Sequence, residues 1–464
     1  MNLILLIDFG STYTKLTAVD VEHATLVATA KAPSTVTTNI IDGLNAALNQ
    51  LEEKISTHSY TITEKLASSS AAGGLRMDAI GLVPELTASA ARIAALNAGA
   101  KLVGCYSYEL ISSDIAAIET ESPDIILLAG GTDGGNQSVA LHNASALAKS
   151  SITAPVVVAC NRNCRDEACR ILSQGGKDAI ATENVLPRVN ELNIEPVREK
   201  IREIFIGRII QANGIEAAMT YVDHILMPTP TAVLNGARLL SQGTETTPGI
   251  GELILMDIGG ATTDVHSVAT GEPTHTGMIP KGLPEPFAKR TVEGDMGVRY
   301  NAHSILDEVG LNQFASNISL PAESVSAWVD CISKQTDTLA STEDEKKIDV
   351  HLAYNAARIS MSRHTGYVET HYTPMGVVHT LFGKDLSDVK NVIGTGGPLV
   401  HSTDPAAILK ATVFDPDTPN ILCPQAPRFY LDSQYIMYAG GLLSGSYPEL
   451  ALEVMRKHLL LIED

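Results

Sequence analysis

One pattern occurs twice, and it constrains the fold more than any bulk property of the chain. An apolar run, Asn2–Phe9, carries Asp8 near its end and turns through Gly10-Ser11-Thr12 into a second run that bears Lys15. More than half the chain later, Glu252–Val265 reads ELILMDIGGATTDV, with Asp257, Gly259-Gly260, Thr262-Thr263 and Asp264 between two apolar runs. Backbone N–H groups of such a glycine turn point into one concavity and can hold phosphate oxygens. Ser11 and Thr12 add hydroxyl donors, and Lys15 adds a point charge suited to phosphate. A carboxylate at the strand end suits a hydrated Mg²⁺. The simplest account is two pseudo-symmetric half-domains, each offering a hairpin to one nucleotide between them. A third element, Val392-Ile393-Gly394-Thr395-Gly396-Gly397-Pro398-Leu399, has the glycines that let a flat adenine and ribose approach the backbone.

The intervening sequence fits that division. Asn2–Phe9, Thr12–Asp20 and Ala24–Lys31 read as a β-meander, followed by a helix over Ile40–Ile55 whose apolar residues recur at helical spacing. From about residue 60 the rhythm becomes strand–helix–strand, with strands at Lys65–Ser69, Met77–Val83, Lys101–Tyr106, Asp124–Ala129, Pro155–Cys160 and Ala179–Thr182. Alternation of that kind predicts a parallel sheet covered on both faces. The expected division is 1–60 for the start of the first lobe and 61–225 for an inserted α/β domain. A connecting helix over 226–250, a second lobe over 251–438 and C-terminal interdomain helices over 439–464 follow. Further helices are expected at Val298–Val309, Ala322–Lys334, Val350–His364 and Pro448–Leu460, and Ser341–Lys347 reads as a solvated helix start.

Charge narrows the function. Lys and Arg total 33 against 53 Asp and Glu, a net −20, which argues against a nucleic-acid partner or adhesion to an anionic membrane. No stretch approaches the ~20 apolar residues of a membrane span, and Leu3–Ile7 is too short and lacks the basic start of a secretory signal. Six cysteines are too few for a disulfide framework. Cys160, Cys164 and Cys169 cluster, yet without the C-x-x-C pairs of zinc sites, and read as reduced buried thiols. The expectation is a cytoplasmic protein.

The ordered set of motifs resembles the phosphate-1, phosphate-2 and adenosine motifs of the actin, sugar-kinase and heat-shock-chaperone ATPase superfamily. Ala439-Gly440-Gly441-Leu442-Leu443 resembles its last interdomain helix. The resemblance implies two actin-like, ribonuclease-H-like lobes around a nucleotide cleft, with the α/β domain inserted in the first. More closely, DIGGATTDVHSV, GLPEPFAKRTVEGDMGVR, LASSSAAGGLRM and LLAGGTDGGN resemble the MutL/GlmL proteins, accessory proteins of adenosylcobalamin-dependent glutamate (methylaspartate) mutase.

That resemblance implies an Mg·ATP cofactor and a slow ATPase that acts as a chaperone or reactivating factor. It implies that lobe closure promotes exchange of damaged cobalamin from the mutase subunits, and it leaves a homo-oligomer open. Asp8 would hold the hydrated metal, with Gly10, Ser11, Thr12 and Lys15 on the phosphates. Gly259, Gly260, Thr262 and Thr263 would clamp from the other lobe. Asp257, also a metal-water ligand, and Asp264 are candidates to orient the attacking water. Gly394, Gly396 and Gly397 would lie against adenosine, with Glu293 and Asp295 reaching the ribose or serving as ordinary acids at a helix start. His266 reads as a γ-phosphate sensor or a packed strand histidine. Lys289 and Arg290 either neutralise phosphate or pair with Glu285 or Glu293. The competing reading is a small-molecule enzyme of the same superfamily, a kinase or an ATP-dependent hydantoinase/oxoprolinase-like hydrolase, but no acceptor signature stands apart from the nucleotide motifs. An iron–sulfur activator ATPase is a third, and it places its cysteines at a subunit interface rather than in an insertion. Within the insertion, the polar loops 130–136 and 161–163 follow two strands at the edge where open parallel sheets bind ligands.

Overall fold

A computed structural model describes residues 1–464 apart from Ser11, 36–38, 57–58, 71–74, 211–219, Met375 and 463–464. The Ser11 assignment and part of the LASSSAAGGLRM stretch therefore lie outside the described residues. Two compact units emerge: Met1–Gly236 with Gly282–Pro286 and Tyr438–Val454, and Ala237–Lys281 with Phe287–Met437 and Met455–Asp464.

In the first unit, strands β1 (Asn2–Phe9), β2 (Tyr13–Asp20) and β3 (Thr25–Pro33) form the expected antiparallel meander. β1 is almost continuously apolar and is buried from Leu3 onward, as a central strand must be. The helix Ile40–Ile55 begins where the Asn39 side chain accepts from the Ile41 N–H, and it buries Ile40, Leu44, Ala47, Leu51 and Ile55. Two further strands, β4 (Thr61–Ser69) and β10 (His224–Pro228), run parallel to β1 and complete a sheet of order β10-β4-β1-β2-β3.

This corrects the expected limits of the insertion. Residues 61–69 and 224–228 belong to the first sheet, because β4 has its ladder with β1, pairing Asp8 with Ser68. The inserted sheet consists of β5 (Arg76–Gly81), β6 (Lys101–Ser107), β7 (Ile125–Gly130), β8 (Val156–Cys160) and β9 (Ala179–Ala181), all parallel, in order β6-β5-β7-β8-β9. β7 and β8 are buried at every position, which explains why they read as unbroken apolar runs.

The second unit repeats the first sheet's strand order. β11 (Leu253–Ile258) and β12 (Thr263–Val268) form a hairpin, and β12 pairs antiparallel with β14 (Ala288–Glu293). β17 (Asn391–Thr395) and β18 (Arg428–Leu431) continue parallel to β11, and a short β19 (Leu460–Ile462) adds an antiparallel edge. In both units three antiparallel strands, read 3-2-1, are extended by two strands parallel to the first, which is the ribonuclease-H-like order. A separate small sheet, β13 (Met278–Lys281), β16 (Gly376–Phe382) and β15 (Tyr367–Thr373), stands apart from the main one. The helix Ala322–Lys334 has the expected bounds, while the helix ending at His364 starts at Glu343, capped reciprocally by Thr342 and Glu345.

Among the described residues no helix is long and apolar enough to cross a membrane.

The two carboxylate hairpins

The β1–β2 turn is tight: the Gly10 N–H donates to the Tyr13 carbonyl at 3.1 Å, and a Cβ on Gly10 would stand 2.5 Å from that oxygen. Only glycine fits there. The turn leaves Asp8 opposite Lys15 across the ladder, with Lys15 Nζ 3.9 Å from Asp8 Oδ2. Asp8 is 2% exposed. Its Oδ1 accepts from the Thr229 hydroxyl at 2.5 Å and the Ser68 hydroxyl at 3.3 Å. Burial pushes the Asp8 carboxyl above its ordinary range, against the pull of Lys15 and the two hydroxyls. Thr12 is exposed at the turn. Ser68 stands in the LASSSAAGGLRM stretch, yet sequence assigns it no role, and Thr229 belongs to no motif. β4 and β10 bring them in, β4 by placing Ser68 beside Asp8 and β10 by ending immediately before Thr229.

The second hairpin has the same build. The Gly259 N–H donates to the Thr262 carbonyl at 2.9 Å, and Asp257 pairs across the ladder with Asp264. The third motif reaches it through Gly396, whose φ is +94°. A Cβ there would lie 2.2 Å from the Ile258 carbonyl oxygen and 2.7 Å from Asp257 Oδ1. Gly397 is open, with nothing within 4 Å of a Cβ. Gly394, by contrast, faces Leu399 and Leu409 at 3.0 Å, so its missing side chain makes room for core packing.

The remaining candidates are placed less uniformly. The Thr262 hydroxyl donates to Asp264 Oδ2 at 3.3 Å, but the buried Thr263 hydroxyl is committed to the Met296 carbonyl at 2.7 Å. Asp264 Oδ1 accepts twice from Arg290, at 2.8 and 2.6 Å, so this carboxylate has a built-in counter-ion. Lys289 Nζ donates to the His364 carbonyl. Glu293 and Asp295 are both held by Arg363, at 2.9 and 3.0 Å, a residue that sequence reasoning missed. They do not open a helix: the helix expected from Val298 begins at Ala302. Val298, Arg299 and Tyr300 instead donate their N–H groups to the carbonyls of Gly259 and Gly260, buttressing the hairpin turn from outside. His266 is buried, and desolvation reinforced by Arg290 pushes its pKa down to about 3. It is a neutral histidine packed in the strand.

In the insertion, Asn161 ties the two polar loops together. Its amide donates to the Gly135 and Asn136 carbonyls and its oxygen accepts from the Gly134 and Asn163 N–H groups. Cys160 and Cys164 are buried with their sulfurs 3.9 Å apart, and burial pushes both thiols up, away from thiolate chemistry. No cluster of three or more His, Cys, Asp or Glu that could hold a metal occurs among the described residues.

Two ribonuclease-H-like units, each carrying an aspartate on a glycine-turned hairpin, define a protein of the two-lobed, actin-like ATPase fold class. The chain belongs to the MutL family: the family model described as "MutL protein" matches residues 4–459. It is 48% identical over 460 residues to "Protein MutL" of Clostridium tetanomorphum, covering 99% of this chain and 100% of that one. Among solved structures it is similar to the activator of the 2-hydroxyisocaproyl-CoA dehydratase from Clostridium difficile, with TM-score 0.32, 10% identity and 100% of both chains covered. It is also similar to xylulose kinase from Lactobacillus acidophilus, with TM-score 0.35, 9% identity, and 100% of this chain and 93% of that one covered.

Proposed function

We propose that this chain is an Mg·ATP-binding and ATP-hydrolysing accessory protein that reactivates adenosylcobalamin-dependent glutamate mutase. The observation that carries the nucleotide part is Asp8. It is a carboxyl buried at a strand end, held by two hydroxyls and raised in pKa by its burial, next to a turn that only glycine can make. A cation would restore its charged form. The donor set of carboxylates and hydroxyl-rich turns is the hard-oxygen chemistry that suits Mg²⁺. Asp8 and Asp257 would hold the ion through its waters, and the ion would neutralise phosphate charge. Gly10 and Thr12 with Lys15, and Gly259, Gly260 and Thr262, would supply the N–H, hydroxyl and ammonium groups for the phosphates. Gly397, with open space at its Cβ position, would present bare backbone for the adenosine, and Gly396 would hold that turn against β11. Thr263 would contribute through its backbone, because its hydroxyl is engaged.

Asp264 fits a positioning role better than a direct one, since Arg290 neutralises it. Phosphoryl transfer needs positioning and charge neutralisation more than covalent chemistry, and a slow basal rate is what the family resemblance implies. Nucleotide-driven conformational change would then act on the mutase partner. The mutase assignment follows from family membership and the resemblance of the motifs.

The test is ATP turnover by the purified chain with and without Mg²⁺ and mutase. Slow, Mg²⁺-dependent hydrolysis that mutase accelerates supports the reading. Stoichiometric ADP from a small metabolite in the absence of mutase would support the kinase or hydrolase reading in its place.

A further inference from the structure

The small sheet of the second unit carries an open edge. β15 pairs antiparallel with β16 on one side only. On its other side the Val368 N–H donates to the Asn420 carbonyl at 2.9 Å, beside a bridge from Tyr367 to Ile421. The neighbouring chain then turns away, the Ile421 N–H closing onto the Thr418 carbonyl. The edge is therefore covered up to Val368, and the next outward backbone groups are those of Thr370 and Tyr372. Residues two apart on a strand face the same edge. Val368 thus marks Thr370 and Tyr372 as outward-pointing, and neither has a backbone partner on that side in the described structure.

An uncovered edge of this kind is a template for another strand. Its surroundings suit protein contact: Tyr372 is 86% exposed, and Val377 and Ile279 are more than half exposed. The three strands hold a single carboxylate, Glu369, with Lys281, His371 and His379, in a chain of net −20. Two copies of so acidic a chain repel each other, and a sheet whose three strands hold one carboxylate adds little to that repulsion.

We propose that β15 pairs with β15 of a second copy of this chain, antiparallel about a two-fold axis at His371. The register follows from the outward groups of Thr370 and Tyr372. Thr370 and Tyr372, the two residues whose backbone groups point outward, both find a partner in only one way: Thr370 against the second copy's Tyr372, which sets His371 against its own equivalent and Glu369 opposite the second copy's Thr373. Thr370 and Tyr372 then exchange both N–H···O=C bonds in each of two symmetric pairs, four hydrogen bonds built only from open groups. Glu369 of one copy lies diagonal to His371 of the other on the same sheet face, within reach of long side chains. It is already 3.5 Å from its own His371. The two three-stranded sheets become one of six, and no free edge is left at β15.

The test is sedimentation of the full chain over the micromolar range, with two variants. Tyr372→Pro removes an outward N–H that the β15–β16 ladder does not use, a substitution that edge strands tolerate. His371→Glu places like charges across the axis while keeping every backbone group. The wild type should sediment as a dimer, and each variant should weaken dimerisation at least ~10-fold with an unchanged circular dichroism spectrum, equivalent to about 1.4 kcal/mol. His371→Cys should crosslink two copies under oxidised glutathione, because facing residues of a non-hydrogen-bonded pair have Cα atoms about 4.5 Å apart, whereas Glu369→Cys should not. A monomer at every concentration, a dimer that survives both variants, or crosslinking through Glu369→Cys in place of His371→Cys overturns the proposal.

Discussion

The Thr229 hydroxyl lies 2.5 Å from Asp8 Oδ1, joining the first residue of one helix to the end of a strand 221 residues earlier in the chain. Hydrogen bonds to an ionised group contribute roughly 1.5–3 kcal/mol. Thr229→Val keeps the shape and removes the donor. It should lower Mg²⁺-dependent ATP turnover by roughly 10- to 100-fold and raise the Mg²⁺ concentration needed for half-maximal rate. Thr229→Ser should restore most of both. An unchanged Mg²⁺ dependence in the valine variant would remove Thr229 from the site.

Gly396 should tolerate nothing larger. At φ +94° an L residue is strained, and its Cβ would collide with the Ile258 carbonyl and crowd Asp257. Gly396→Ala should cost more than the ~1 kcal/mol of an ordinary Gly→Ala mismatch and should abolish detectable nucleotide binding in calorimetry. Gly397→Ala, with open space around its Cβ, should fold normally, so that any loss of nucleotide affinity there reports contact with the adenosine.

Arg290 and Asp264 should behave as a unit. Arg290 is 5% exposed, and removing it leaves Asp264 without its counter-ion. Arg290→Met alone should destabilise by about 1–3 kcal/mol in urea unfolding, the result of leaving a part-buried carboxylate short of its donors. The double variant with Asp264→Asn should recover most of that loss. A simple sum of the two single effects would show that the pair is not coupled.

The insertion should have its own pH response. Asp78 on β5 is fully buried, its oxygens have no well-placed donor, and the Glu121 carboxylate lies nearby. Burial, helped by Glu121, pushes Asp78 up to about 7. The folded state then keeps a proton that the unfolded state releases above pH 3.8, so this group's contribution to stability falls as pH rises from about 4 to about 7. Asp78→Asn should remove that slope and stabilise the protein at pH 8 by roughly 1–3 kcal/mol. His266 acts in the opposite direction. Buried and neutral with a pKa near 3, it costs stability as pH falls below 6.5, when only the unfolded chain takes up the proton. Thermal midpoints of Asp78→Asn and of a His266→Asn variant between pH 5 and 8 test the two signs separately.

Sequence pattern located the parts of the fold whose signal is local. β1, β2, β7 and β8 were legible as apolar runs, and both hairpins as carboxylate-glycine turns. The boundary of the insertion was not, because β4 and β10 look like any other short strands, and only their ladder with β1 shows which sheet they join. The site divides in the same way. Glycines whose Cβ would collide were visible as motifs, whereas Thr229 and Arg363 act through long-range contacts with no local signature, and Ser68 stands in a legible motif whose partner, Asp8, only the β4–β1 ladder reveals. The segment Val298–Tyr300 was misread as helix because its apolar and basic residues suit one. It is drawn out instead by the unpaired carbonyls of the Gly259-Gly260 turn.

The matching strand orders carry one more consequence. The connection from β17 to β18 in the second unit and that from β4 to β10 in the first join equivalent pairs of neighbouring parallel strands. One takes about thirty residues; the other contains an entire five-stranded domain. Such a crossover is required in both units, since parallel neighbours cannot be joined by a tight turn, but its length is not fixed by the sheet. The larger module is thus a graft at a permissive junction. It could be exchanged wholesale while β1, β4 and the Asp8 hairpin kept their register.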